Sequence, residues 1–152
     1  MIAVVQRVTS ASVIVADRVA GKINHGIVAL VAVERGDTEA DATWLAERIV
    51  SLRIFRDGEK HFELDVKQAN GSILLVSNFT LAAETDRGRR PSLDGAADPE
   101  SAKALFEQLV THVRNLDVPV ATGEFAADML VHIDNDGPAT FIVSSRRSRG
   151  HT

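Results

Sequence analysis

The chain opens on short apolar runs of β character. Ile2–Val8 is rich in β-branched residues and reads as a strand, Ser12–Ala16 as a second, and Asp17-Arg18 as a turn into Val19–Ile23. Ile27–Val33 is apolar without interruption, the mark of a central strand covered on both faces. The period then changes. Thr38 with Asp41 forms a capping-box-like pair, and Ala42, Leu45, Ile49 and Leu52 recur at helical spacing as one stripe. Trp44 lies off that stripe, where it covers a helix edge or meets a partner subunit.

Further along, Arg53–Asp57 reads as extended, and Asp57-Gly58 and Asn70-Gly71 as turns. Ser72–Phe79 predicts a strand whose middle, Ile73-Leu74-Leu75-Val76, is wholly apolar. Its polar end, Ser77-Asn78-Phe79-Thr80, therefore emerges at the edge of a buried element, facing water or a pocket. Glu84–Gly95 is a loop carrying Arg87, Arg89, Arg90 and Pro91. Asp98-Pro99-Glu100 supplies a helix N-cap, an N1 proline and a first-turn acid. Ala102, Leu105, Phe106, Leu109 and Val113 follow on one face, and Val118-Pro119 ends the helix. Val120–Gly123 predicts a short strand, and Phe125–Asp128 leads into two alternating runs, Met129–Ile133 and Ala139–Val143. Between them, Asn135-Asp136-Gly137-Pro138-Ala139-Thr140 reads as a stiff hairpin turn. Its glycine accepts φ > 0, and its proline fixes φ and deletes a donor.

Past Ser144 the chain turns polar and basic, with Arg146, Arg147, Arg149 and His151. Residues 1–144 thus read as one domain and 145–152 as a basic, flexible tail. The order is strands, helix, strands, helix, strands, with too few helices to cross over every strand pair. It predicts an α+β fold: a largely antiparallel, strongly twisted, barrel-like sheet with two main helices.

Composition narrows the chemistry. With 152 residues, 45% apolar and 25% charged, the chain suits a single globular domain with a real core. A net charge of −4 argues against nonspecific coating of nucleic acid, so any polynucleotide contact is local. The absence of cysteine excludes disulfides, thiolate nucleophiles and Cys-type zinc sites, and fits a reducing compartment. Met1–Val8 is too short an apolar run for a signal peptide, and no stretch approaches the ~20 apolar residues of a membrane span. The expectation is a soluble, cytoplasmic protein without a membrane partner. His25, His61, His112, His132 and His151 show no metal-ligand spacing, so no metal is expected. Nucleotide-binding glycine motifs and a G-x-S-x-G elbow are missing, and no cofactor is expected. Ser77 and Thr80 offer hydroxyls but no companion base. Residue chemistry alone stops at two polar loops on a compact sheet.

Those two loops carry a resemblance. Ser77-Asn78-Phe79-Thr80-Leu81 together with Asn135-Asp136-Gly137-Pro138-Ala139-Thr140 resembles the paired signature of the D-aminoacyl-tRNA deacylases. Gln6-Arg7-Val8, Arg53-Ile54-Phe55, Arg90-Pro91-Ser92 and Gly123-Glu124-Phe125-Ala126-Ala127-Asp128-Met129 match in the same order, covering residues 1 to 144. Two positions depart: Asn78 stands where the family usually has Gln, and Ala139 where it has Val. The resemblance implies a homodimer that cuts the ester joining a D-amino acid, or mischarged glycine, to the 3′ adenosine of tRNA. It implies that the Gly137-Pro138 peptide is cis and enters the partner's active site, where its two carbonyls face the substrate's α-carbon and amino group and an L-side chain would clash. Arg7 would hold that loop, and Ala139 lies beside it on the substrate side. Ser77, Asn78, Phe79 and Thr80 would form the catalytic group, Thr80 either as nucleophile or as a positioning hydroxyl. Positioning is preferred, with N–H groups around Phe79 meeting the oxyanion.

Phe125 and Met129 read equally as pocket lining and as core. Arg87, Arg89 and Arg90 read as contacts to acceptor-end phosphates or as a solvated loop. Two rival functions remain. One is a sibling editing enzyme that removes a small L-amino acid. The other is a non-catalytic nucleic-acid-binding module, disfavoured by the acidic body and the absence of tyrosine; DNA is not an expected partner.

Overall fold

One long strand organises the sheet. In the computed structural model, which describes residues 1–149, Ile2–Val15 run as a single strand, β1. The two strands expected here are joined. Register shifts at Val8 and Ser10 let the strand bend where the sequence suggests a break. Along one edge β1 pairs antiparallel with β2 (Arg18–Ile23) through residues 11–15 and with β3 (Gly26–Ala32) through residues 2–8. Its other edge pairs antiparallel with the last strand, β8 (Leu130–Ser144), nearly end to end. Ala16 and Asp17, both at positive φ, make the tight turn into β2.

Beyond β3 the pairing becomes parallel. β6 (Ser72–Ser77) lies beside β3, and β7 (Val120–Thr122) beside β6. This mixed sheet curls until β2 meets β7. A Cβ at Gly21 would lie 2.2 Å from the Thr122 carbonyl oxygen, so only glycine permits that approach and the near-closure of the barrel. Two helices, α1 (Glu39–Ser51) and α2 (Pro99–Asn115), cover the outer face, and β4 (Phe55–Asp57) with β5 (Lys60–Leu64) forms a separate hairpin whose Phe62 meets Phe141 of β8.

The uninterrupted apolar run of β3 now has a cause. Ile27, Ala29 and Val31 face the helices with Ile73 and Leu75 of β6, meeting Leu45, Ile49, Phe106 and Leu109. Val28 faces the barrel interior with Leu74, Val76, Val8 and Val13. Both faces are covered, so alternation disappears from the sequence. The helix starts follow their caps. The Thr38 N–H donates to the Asp41 carboxylate at 2.8 Å, and the Asp98 carboxylate accepts from the Ser101 N–H at 3.0 Å. Trp44 is half-buried against the helix-side core.

Other boundaries also differ from the sequence expectation. β6 ends at Ser77 rather than Phe79, and a 3₁₀ turn, Phe79–Ala82, follows. The expected hairpin at Asn135–Thr140 does not form, because Leu130–Ser144 is one continuous strand. The expected tail begins as a short helix, α3 (Ser145–Arg149). Ser145 is buried, its hydroxyl accepting from the Met1 amino group at 2.8 Å, and Arg146 lies beside Glu34 and Asp37. The remainder of that tail, including His151, lies outside the described residues. No helix among the described residues is long and apolar enough to cross a membrane.

Candidate functional site

β6 carries Ser77 to the end of the sheet, where the chain turns sharply out. The Asn78 N–H donates to the Val31 carbonyl at 2.7 Å, so the residue after β6 stays tied to β3. The 3₁₀ turn is closed by Leu81 N–H to the Asn78 carbonyl, 3.2 Å, and Ala83 N–H to the Thr80 carbonyl, 3.1 Å. Phe79 is 58% exposed, an unusual state for phenylalanine. It stands on the wall of a cavity of about 640 Å³.

That cavity brings together all four predicted catalytic positions, Ser77, Asn78, Phe79 and Thr80, with Phe125 and Met129. Phe106 of α2 and Ala96-Ala97 complete much of the wall. Phe125 and Met129 also pack against the two core clusters, so pocket lining and core packing are both true of them. Phe125 reaches Phe106, ring centroids 6.2 Å apart. Gly123 makes room for Met129: a Cβ there would lie 2.7 Å from the Met129 sulfur.

The chemistry of the wall is sparse. The Thr80 hydroxyl donates to the Asn78 amide oxygen at 2.6 Å, and no histidine or carboxylate bonds to it among the described residues. Phe79 and Thr80 open the 3₁₀ turn, so their N–H groups have no acceptor within it. Among the described residues no cluster of His, Cys, Asp or Glu is placed to hold a metal.

The second signature lies outside this cavity. Asn135 pairs with Val8 and Thr140 with Gln6, so β8 keeps its partner on both flanks while residues 136–139 bulge out opposite Arg7. The chain does not reverse, because β1 is long enough to pair both flanks. The Gly137–Pro138 peptide is cis, and both residues are exposed while Ala139 is buried. The bulge is closed by side chains where the ladder is missing. Asn135 Nδ2 donates to the Arg7 carbonyl at 2.9 Å and to the Ala139 carbonyl at 3.1 Å. The Thr140 hydroxyl donates back to Asn135 Oδ1 at 3.2 Å.

Arg7 is buried beneath the bulge. Its Nη1 donates to the Ile54 carbonyl at 2.7 Å, and its Nε lies 3.2 Å from Asp136 Oδ2. A Cβ on Gly137 would come within 2.9 Å of Arg7 Nη2. Arg7, Gly137, Pro138 and Ala139 are thus brought together, but none lines the cavity of the same chain. Sequence reasoning missed Asn135 and Asp136 as the clamp. The available signal was an amide and a carboxylate directly ahead of Gly-Pro, opposite an arginine.

Arg87, Arg89 and Arg90 are exposed and make no ion pair among the described residues. Their loop is pinched by reciprocal Glu84–Ser92 backbone bonds of 2.9 Å. It leaves the 3₁₀ turn and returns at Ala96-Ala97, so both ends are rooted at the cavity.

Comparison with known proteins gives a consistent result. A sequence profile described as D-Tyr-tRNA(Tyr) deacylase matches residues 4–144. The chain is 49% identical to a D-aminoacyl-tRNA deacylase of Geobacter metallireducens over 150 residues, 99% of either chain. It is 52% identical to one of Salmonella typhimurium over 141 residues, 93% of this chain and 97% of the other. Among solved structures, a c-Myc DNA unwinding element binding protein superposes with a TM-score of 0.90 at 35% identity, covering 95% of this chain and 99% of that one. A probable eukaryotic D-amino acid tRNA deacylase shares the fold, with a TM-score of 0.79 at 14% identity over 93% and 98% of the two chains.

Proposed function

Because the chain belongs to the D-Tyr-tRNA(Tyr) deacylase family, enzymes that hydrolyse aminoacyl-tRNA esters, we propose that it is a chiral editor acting as a homodimer. It removes D-amino acids and mischarged glycine from the 3′ adenosine of tRNA. It rejects L-aminoacyl-tRNA with a main-chain wall, Gly137-Pro138, supplied by the second copy. The observation that carries this is the division of the site. Ser77–Thr80 line a cavity, while Gly137 and Pro138 stand exposed outside it on a bulge clamped by Asn135 and Arg7. A rigid, exposed main-chain tip suits recognition of a backbone-like feature in a neighbouring site. It opposes a side chain of the wrong hand without regard to which side chain arrives.

In the reaction, water adds to the ester carbonyl, the bond to the ribose 3′ oxygen breaks, and that oxygen takes a proton. The N–H groups of Phe79 and Thr80 meet the developing oxyanion. Thr80 positions: its hydroxyl is already committed to Asn78, and among the described residues no base is bonded to it to make it a nucleophile. Asn78, one methylene shorter than the family's usual Gln, orients Thr80. Phe125 and Met129 hold the adenosine or aminoacyl group. Arg87, Arg89 and Arg90 take phosphates of the acceptor end, a local basic contact on an acidic body. The enzyme works in the cytoplasm, with residues 1–144 as its catalytic domain.

The relative named for a DNA unwinding element makes nucleic-acid binding without catalysis the second reading. Deacylation of matched D- and L-aminoacyl-tRNA by the purified protein separates the two. The editor cuts the D-ester and spares the L-ester. A binding module cuts neither, and loses affinity steeply with salt for any polynucleotide.

A further inference from the structure

The basic segment that follows β8 is tied to the substrate cavity through the turn between β3 and α1. Arg146 of α3 reaches that turn. Its Nη2 donates to the Arg35 carbonyl, and its Nε lies 3.5 Å from Glu34 Oε2 and 3.8 Å from Asp37 Oδ1. The Asp37 side chain is fully buried and that of Glu34 largely so. The Met1 amino group is a second cation there, 2.7 Å from Asp37 and 3.3 Å from Glu34. The turn also holds the cavity wall. Arg35, whose carbonyl accepts from Arg146, donates its N–H to the Gly95 carbonyl at 2.9 Å. Glu34 pairs with Ala96 in an isolated antiparallel bridge, and the Ala97 N–H donates to the Val33 carbonyl at 3.0 Å. Val33, Ala96 and Ala97 line the cavity. The same segment abuts the 3₁₀ turn: a Cβ on Gly95 would lie 2.9 Å from the Ala82 carbonyl oxygen.

Two carboxylates on one tight turn repel each other, and a buried one is costly without a cation beside it. Arg146 brings a planar fork that meets Glu34, Asp37 and a carbonyl at once, which the compact ammonium of a lysine does less well. Without that fork the turn loses a partner, and Gly95–Ala97, bonded to the turn, shifts with it. We infer that Arg146 is a positioning residue for the deacylation site, an inference that rests on the activity proposed above. Arg146 does not line the cavity. It acts through Arg35 and Gly95, setting where the Ala96-Ala97 wall stands against the Phe79–Ala82 turn. It thereby sets where the N–H groups of Phe79 and Thr80 meet the ester. Arg146 lies past the stretch that carries the family signatures, and its side chain is half exposed, so its position alone suggests an RNA contact. Three partners on one turn point to a strut instead.

The test uses two esters of the same D-amino acid, one on tRNA and one on adenosine alone, which offers no acceptor-stem phosphates. Arg146→Met in the full chain keeps the aliphatic stem and removes the charge and the donors. The expected result is a fall of about fivefold to tenfold in kcat for both esters, with KM within about twofold. Amide hydrogen exchange at Arg35 and Ala97 quickens in the same variant. Arg146→Lys keeps the charge but loses the fork, and its kcat falls by only about twofold to threefold. A loss confined to the tRNA ester, as a rise in KM over the parent that shrinks with added salt, overturns the inference and makes Arg146 a direct phosphate contact. An unchanged kcat in Arg146→Met also overturns it. If Arg146→Met does not fold, Arg146→Lys decides, and a parental kcat there overturns it. Failure of the parent chain to cut the tRNA ester is a different result: it overturns the deacylase activity itself, and this inference with it.

Discussion

At Gly137 the backbone has φ +128°, and an added Cβ would crowd Arg7 Nη2 and the Ala139 nitrogen, each at 2.9 Å. Gly137→Ala therefore re-aims the bulge without touching the core. We expect at least about a tenfold loss of D-aminoacyl-tRNA deacylation, with destabilisation of no more than about 1–3 kcal/mol, readable by steady-state kinetics and thermal melting. Thr80→Ala probes the opposite proposition. If the hydroxyl only positions, the variant keeps deacylation within about a hundredfold of the parent, since a lost nucleophile costs far more. A covalent acyl group trapped on Thr80, seen by mass spectrometry, would contradict the positioning role. The placement of Ser77–Thr80 on a cavity wall was legible, because Ser77, Asn78 and Thr80 close a wholly apolar strand with short polar side chains. The clamp by Asn135 was not, since its two acceptors, Arg7 and Ala139, depend on a pairing the local sequence does not encode.

Among the elements, those with a local cause were readable. α1 and α2 begin where their caps are written, and β3 announces its two covered faces by losing alternation. β1 and β8 were each misread as two pieces. Thr9-Ser10 and Asp136-Gly137-Pro138 look like breaks, but a strand continues through an irregularity when a neighbour pairs on both sides. These two long strands are that neighbour for each other. The α2 cap allows a test by pH. The Ser101 N–H, then the Ser101 hydroxyl, hold the Asp98 carboxyl below its ordinary pKa. A carboxyl lowered on folding stabilises the native state above its unfolded pKa and loses that contribution as pH falls through the native value. Asp98→Ala is expected to lower the melting temperature at neutral pH. The gap to the parent narrows under acid, below the ordinary aspartate range, as circular dichroism melts across pH would show.

The molecule as a whole is a mixed, nearly closed sheet with its cavity at one place and its clamped Gly-Pro bulge at another. On a body with a net charge of −4, the exposed arginine loop, which makes no ion pair among the described residues, is rooted beside the cavity. If one copy's bulge completes the other copy's cavity, activity belongs to the pair. Sedimentation and deacylation of matched D- and L-aminoacyl-tRNA, measured along one dilution series, test this most directly. D-selective turnover per subunit is expected to fall in step with the dimer fraction. A dissociated single chain that still hydrolysed the D-ester at full rate while sparing the L-ester would contradict it.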